Sequence, residues 1–341
     1  MRFFMFPVMS LVVGLAIAGI ISWSQTSDWV KVWQSLLTVL LLSVLEISLS
    51  FDNAVVNATV LKKMSEVWRR RFLTWGMLIA VFGMRLVFPL VIVSITGGVS
   101  IWQSFMMALN QPKEYSEMMM ASHLAVSSFG GAFLLMVFLH FFMNDEKDIH
   151  WIPFIEKNFI RAARIKSSEL LISLLVLIVV YKYLPNEQGL TFLVSAIWGL
   201  ITFILVHGFS ELLEETSVSQ SRLLSSGFGL FLYLEVLDSS FSFDGVVGAF
   251  AISHEILIIM LGLSVGAFFV RGLTLYLVEK DTLKQFVFLE HGAFYALGAL
   301  AFFMLLDPFF HFSEWLTALA GAVILVLSVL WSIYIDRPNR T

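Results

Sequence analysis

Apolar residues run through the chain in long, nearly unbroken blocks, with the polar positions gathered between them. A helix needs about 20 apolar residues to cross the hydrocarbon of a bilayer. On that measure the blocks predict about ten transmembrane helices, near 3–23, 34–61, 72–96, 122–143, 168–184, 190–210, 226–252, 256–278, 286–306 and 314–335. The expected fold is an all-α polytopic membrane protein, a single transmembrane domain over residues 1–341. The first block follows one basic residue, Arg2, and is longer than a signal-peptide core of ~7–15 residues, so it reads as an uncleaved span. The second and seventh blocks exceed a straight crossing, which tilt or an interruption would each explain.

Those two long blocks carry the same motif. LSVLEISLSFDNAV at 42–55 and LEVLDSSFSFDGVV at 234–247 agree at eight of fourteen positions, at a constant offset of 192. Ser50, Phe51 and Asp52 recur as Ser242, Phe243 and Asp244, and Glu46 faces Asp238. An acid at the centre of a membrane helix costs roughly 2.5–3.5 kcal/mol on insertion scales. Glu46, Asp52, Glu235, Asp238 and Asp244 therefore need one another, a cation or water.

Lys and Arg set the direction of threading. Sixteen fall in the loops of one side and three (Lys31, Lys113 and Lys182) on the other, which places both termini in the cytoplasm. Five spans separate the two motifs, so they cross in opposite senses. That is the signature of an inverted-topology repeat, common in secondary transporters. The first repeat is expected over 34–143 (spans 2–4) and the second over 226–306 (spans 7–9), with spans 1, 5, 6 and 10 flanking. Each motif is followed by a span with a lone internal arginine, Arg85 or Arg271.

On an ideal helix Glu46, Ser50 and Asn53 share one face, and Glu235, Asp238 and Ser242 another, while Asp52 and Asp244 are turned away. The acids would converge if both helices broke near 50–52 and 242–245, where freed carbonyls add oxygen ligands. Carboxylates, an amide, hydroxyls and carbonyls form an all-oxygen set suited to Mn²⁺, Mg²⁺ or Ca²⁺. The expected metal ligands are Glu46, Asp52, Asn53, Glu235, Asp238 and Asp244. Ser50 and Ser242 would support them, and Arg85 and Arg271 would act as counter-ions or gates. The competing reading is that the acids pair with the arginines and only fix helix packing.

Composition narrows the chemistry further. The chain has 59% hydrophobic and 13% charged residues and no cysteine, which excludes disulfides, thiolate metal sites and Fe–S clusters. A net charge of −4 carries no message about nucleic acid. Nothing resembles a zinc-protease motif or a Ser/His pair, so no enzyme and no prosthetic group is expected. Residues 97–121 read as an external loop with room for an interfacial helix, whose methionines (Met106, Met107 and Met118–Met120) are filler rather than soft-metal ligands. Residues 144–167 read as a charged cytoplasmic loop, a solvated connector. His207 with Glu211 and Glu215 has the spacing of an entrance or regulatory site. His140 near Asp145, and His291 after Glu290, read as interface or packing residues.

The paired motifs, EISLSFDNAVV and LDSSFSFDGVVGAFAIS, together with FLEHGAFYALGALAFFMLL at 288–306, resemble the TerC family of bacterial integral membrane proteins. They are closest to a TerC-related family of unknown function within the LysE superfamily. The resemblance implies an inner-membrane protein built on an inverted repeat, with Glu46, Asp52, Asp238 and Asp244 as the family's acids. Gly245, where a hydroxyl residue is common, and the extra flanking helices depart from that pattern. The expected function is a secondary transporter exporting a divalent cation, Mn²⁺ first, by exchange with protons. The bilayer, the cation and protons are its expected partners. The alternatives are an exporter of an amino acid or small organic cation, and a non-transporting membrane scaffold in an envelope or metal-stress complex.

Overall fold

The computed structural model describes residues 2–144, 147, 149–215, 222–280 and 282–336, and among them there is no strand. In chain order the helices are α1 (Arg2–Thr26), α2 (Trp29–Leu49), α3 (Phe51–Lys63) and α4 (Glu66–Arg71). Two π-helical stretches, Phe72–Gly76 and Ile79–Val87, lead into α5 (Phe88–Gly97), followed by α6 (Ile101–Asn110), α7 (Pro112–Ala121) and α8 (His123–Met143). Then come α9 (Pro153–Ala163), α10 (Ser168–Tyr183), α11 (Asn186–Glu215) and α12 (Arg222–Ile252). The last four are α13 (Ile256–Glu279), α14 (Thr282–Gln285), α15 (Leu289–Phe310) and α16 (Glu314–Asp336).

Eight helical segments among the described residues are long and apolar enough to cross a membrane: Phe3–Thr26, Trp29–Leu49, Glu66–Gly97, His123–Met143, Asn186–Gly208, Ile256–Glu279, Leu289–Phe310 and Trp315–Ile335. Many of their large apolar side chains, among them Val12, Leu41, Leu205 and Leu330, are left exposed by the fold. Apolar surface on that scale needs lipid to cover it. The protein is a polytopic, all-helical membrane protein. The other two expected spans correspond to α10, which has 16 residues, and to α12, which carries the second acidic motif.

The chain gathers into two compact units. The first comprises Met1–Ala54, Arg70–His123 and Phe241–Tyr276; the second comprises Val55–Arg69, Leu124–Ser240 and Leu277–Thr341. Neither unit coincides with one sequence repeat, since each takes chain from both copies.

In the first unit α1 lies along α2, around a core of Ala18, Val39 and Ile258. Helix α13 approaches α2 through Gly262 and Gly266, one turn apart. A Cβ at Gly262 would come within 2.5 Å of Leu42 Cβ, and one at Gly266 within 2.5 Å of Glu46 Cβ. This is small-xxx-small packing, in which missing side chains let two backbones close up. Ser43 Oγ donates across the contact to Gly262 O at 3.0 Å. The region read as an external loop with room for an interfacial helix, 97–121, contains two helices. Gly98, at φ +62°, ends α5, and Ser100 and Gln103 form a reciprocal cap that starts α6. Pro112 starts α7, which buries Tyr115 completely against Phe250.

In the second unit α15 and α16 pack together with Gly292 against Ser328. Phe141 on α8 stacks on Phe294 of α15, the ring centroids 3.7 Å apart. The stretch 144–167, expected as a solvated connector, keeps Lys157, Arg161, Arg164 and Lys166 exposed, but it contains α9, and Glu156 within it is only 1% exposed. The charges pointed to water, but hydrogen bonds from neighbouring backbone and side chains make burial of this carboxylate tolerable.

Candidate functional site

Glu46 lies near the end of α2, at its contact with Gly266, and is 2% exposed. Arg85, on the second π-helical stretch, reaches it with Nη2, which donates to Glu46 Oε1. The same guanidinium donates from Nε to Leu263 O at 3.2 Å and from Nη1 to Ala80 O, five residues back along its own helix. Ser50 Oγ donates to Glu46 Oε1 at 3.0 Å. A wide π turn commonly marks a place where a helix has been adapted to a local task. Here it carries an arginine that ties α2, α13 and its own turn together. Gly245 of α12 faces the other carboxylate oxygen, and a Cβ there would sit 3.2 Å from Glu46 Oε2.

Glu46 is half of a buried ion pair, so its charge is balanced and its Oε1 is occupied. One expectation is corrected: Gly245 does not break its helix. Helix α12 runs unbroken from Arg222 to Ile252, and the missing side chain at 245 serves close approach to Glu46. The first motif does break, at Ser50 (φ −104°, ψ 15°) between α2 and α3. The break is a kink without unwinding, because Ser50 N still donates to Glu46 O at 3.0 Å and Ala54 N to Ser50 O at 3.1 Å. Just past the kink, Asp52 Oδ1 accepts from Asn53 N at 2.9 Å in the first turn of α3.

Asp52 is 7% exposed and Asn53 is 1% exposed. Among the described residues no basic side chain pairs with Asp52; its hydrogen bond comes from the backbone. Ser242 is buried on α12, while the Asp244 side chain lies outside those described. Arg271, expected as the counterpart of Arg85, is half-buried on α13, with no acid paired to it among the described residues. Among the described residues, the acid-and-arginine symmetry of the sequence is therefore not kept in ion pairs.

Glu235 and Asp238 belong to the second unit, on one face of α12 three residues apart. Glu235 is half-buried, and its Oε1 is enclosed with no hydrogen-bond partner. Among the described residues no three His, Asp or Glu side chains form a group that could hold a metal ion. Of the six expected ligands, Glu46 pairs with Arg85, Asp52 and Asn53 are buried on α3, and Glu235 and Asp238 share a face of α12.

The second unit also has a polar centre that sequence reasoning missed. Glu156 Oε1 accepts from Trp151 N at 3.1 Å, Ile152 N at 3.0 Å and Tyr295 Oη at 3.2 Å. Its Oε2 lies 3.0 Å from His150 Nδ1 and 3.7 Å from His291 Nε2. His291 Nε2 is also 2.8 Å from Ile149 O, which makes it a packing donor, as expected of this residue. The glutamate folds back over the start of α9, as a capping-box acid does. The signal was present in Trp151-Ile152-Pro153, a proline at the first helical position with an acid one turn on. Nearby, Lys147 Nζ sits 2.9 Å from the Phe141 ring centroid. Burial pushes this amine down to about 7, against the opposing pull of Glu156 and Glu290 and with a small push from Lys63. His140 lies 3.4 Å from Glu169, and its ring is 4.2 Å from that of His207. The Glu211, Glu215 and Asp145 side chains of the earlier histidine readings lie outside those described.

No curated protein and no solved structure matches the chain. A family model does match, over residues 51–339, which takes in all of the second motif and starts just past the kink of the first. The chain therefore belongs to the family described as Protein of unknown function (DUF475).

Proposed function

We propose that this protein is a secondary transporter that exports a divalent metal cation, Mn²⁺ foremost, in exchange for protons. The observation that carries the reading is Asp52, a buried carboxylate at a helix kink with no basic partner among the described residues. An ionised carboxylate so placed costs several kcal/mol unless its charge is balanced. Either a proton or a cation can balance it, and alternation between the two is cation/proton exchange. Glu235, with its enclosed and unbonded oxygen, repeats the condition on the second motif. Oxygen donors favour Mn²⁺ or Mg²⁺ over softer ions. On this reading the motifs form the inverted repeat of a TerC-like carrier with ten crossings, in a bacterial inner membrane with both termini in the cytoplasm. Glu46 and Arg85 provide the fixed wall of the path, and Asp52, Asn53, Glu235, Asp238 and Asp244 supply its acids and amide.

The test is Mn²⁺-driven proton movement in proteoliposomes, alongside metal content in cells lacking or overproducing the protein. Overproduction lowers cell Mn²⁺, and Asp52→Asn abolishes both effects while the purified variant remains folded. Unchanged flux in Asp52→Asn, or equal Mn²⁺ content in both cell types, overturns the proposal.

A further inference from the structure

Helix α3 carries one polar side chain that lies outside both repeated motifs. Asn57, its middle residue, is 5% exposed, and its Oδ1 is enclosed without a hydrogen-bond partner. Among the described residues the carboxamide makes no hydrogen bond at all. A buried amide left so is uncommon and calls for an occupant. The second unit, to which Asn57 belongs, holds another such group. Glu235 on α12 has no hydrogen bond and no ion pair among the described residues, and its Oε1 is enclosed.

The contacts of α12 put these two residues at a similar level. Trp68, just past α3, packs against Gly227, Phe228 and Phe231 of α12. Further along α12, Gly245 faces Glu46 and Leu49, just before α3. Asn57 is midway between these contacts along the first chain segment. Residues 235–238 are midway between them along α12, which is unbroken throughout.

Both unpartnered groups are oxygen acceptors, so their occupant is a donor or a cation and not an anion. A carboxylate with an amide oxygen is a donor set of hard divalent cations. One charge and one neutral oxygen hold such an ion weakly, because affinity follows ligand charge. A path across a membrane needs stations of that kind, which the ion can leave.

We propose that Asn57 is a ligand of the transported cation, its Oδ1 forming with the Glu235 carboxylate a transit station in the second unit. The proposal rests on the transport reading above and adds a residue to it. The second copy has Ala249 at the corresponding position, so only the first motif helix supplies this oxygen.

The experiment is Mn²⁺ binding to purified full-length protein, read from the electron paramagnetic resonance of free Mn²⁺, alongside Mn²⁺ flux in proteoliposomes. Asn57→Leu keeps the volume and removes the oxygen; Asn57→Asp adds a charge. Asn57→Leu weakens binding and slows flux at least about tenfold, the loss that even an outer partner of a metal site brings. Its unfolding midpoint does not fall, because an enclosed, unbonded oxygen gives way to apolar atoms. Asn57→Asp binds Mn²⁺ more tightly and turns over more slowly. Should Asn57→Leu not fold, the tightening in Asn57→Asp decides the matter, and its absence overturns the proposal. If wild type carries Mn²⁺, Asp52→Asn blocks it and Asn57→Leu binds and carries it unchanged, Asn57 holds only a structural water. The proposal then falls while the transport reading stands. If Asn57→Leu weakens Mn²⁺ binding but wild type carries none, the binding station stands and the transport reading falls. A wild type that neither binds nor carries Mn²⁺ overturns both.

Discussion

Replacing Arg85 with methionine isolates the buried ion pair that anchors the first unit. The substitution keeps most of the apolar stem but removes the donors to Glu46, Leu263 O and Ala80 O. Glu46, at 2% exposure, is left with the Ser50 hydroxyl at 3.0 Å. Breaking one side of a buried pair costs about 3–5 kcal/mol, most of it the uncompensated charge. In a bilayer the unfolded reference state still finds polar partners, which puts the expected loss near the lower end, about 3 kcal/mol. Glu46→Gln/Arg85→Met removes both charges together, leaves an amide for Ser50 to bond, and restores all but about 1 kcal/mol. Glu46→Gln alone strands the guanidinium and costs about as much as Arg85→Met, so the double variant costs far less than the two singles together, well outside the additivity expected of independent sites. Equilibrium unfolding of purified protein in mixed micelles, titrated with a denaturing detergent, measures all three variants. A loss below about 1 kcal/mol in Arg85→Met refutes the reasoning, as does a double variant that costs the sum of the singles.

The helix contact and the buried lysine give two further tests. Gly266→Ala places a Cβ 2.5 Å from Glu46 Cβ and 2.8 Å from Ser43 O, where backbone cannot yield, and should cost about 1–3 kcal/mol by detergent unfolding. Gly98→Ala meets nothing within 4 Å and should cost only the left-handed backbone penalty of about 1–2 kcal/mol. A loss below about 1 kcal/mol in Gly266→Ala would show that the α2–α13 contact is not close-packed. Lys147 holds its proton up to 10.5 when unfolded but only to about 7 when folded. The unfolded chain binds more protons between those values, so stability rises with pH across that window; below about 7 both states are charged and the burial cost is fully present. Unfolding midpoints followed from about pH 6.5 to about pH 9.5 should climb in the wild type and flatten in Lys147→Met. An unchanged slope in the variant assigns the pH dependence elsewhere.

The membrane class and most helix positions were legible because crossing a bilayer demands long apolar runs, and nothing else in a sequence imitates those. The acidic motifs were legible for the same reason, since each acid stands out against an apolar background. The Gly262-Leu263-Ser264-Val265-Gly266 spacing, which sets the α2–α13 contact, was equally readable and went unused. Partner choice was not readable. Arg85 and Arg271 occupy similar positions after similar motifs, yet only Arg85 meets an acid among the described residues. That depends on a π turn, two glycines on α13 and the lack of a side chain at 245, none of which a local pattern specifies.

The two copies of the motif also behave differently, with a kink at Ser50 and an unbroken helix through Gly245. Glu156 shows the same limit: its neighbours Lys157 and Arg161 stay exposed, as their charges predicted, while Tyr295, His150 and the backbone of 151–152 bring the carboxylate inside. Sequence by itself determined which segments must leave water and which carboxylates would be costly there. Tertiary structure alone decided how each carboxylate is balanced, because hydrogen bonds and ion pairs depend on distances of a few ångströms between residues far apart in the chain.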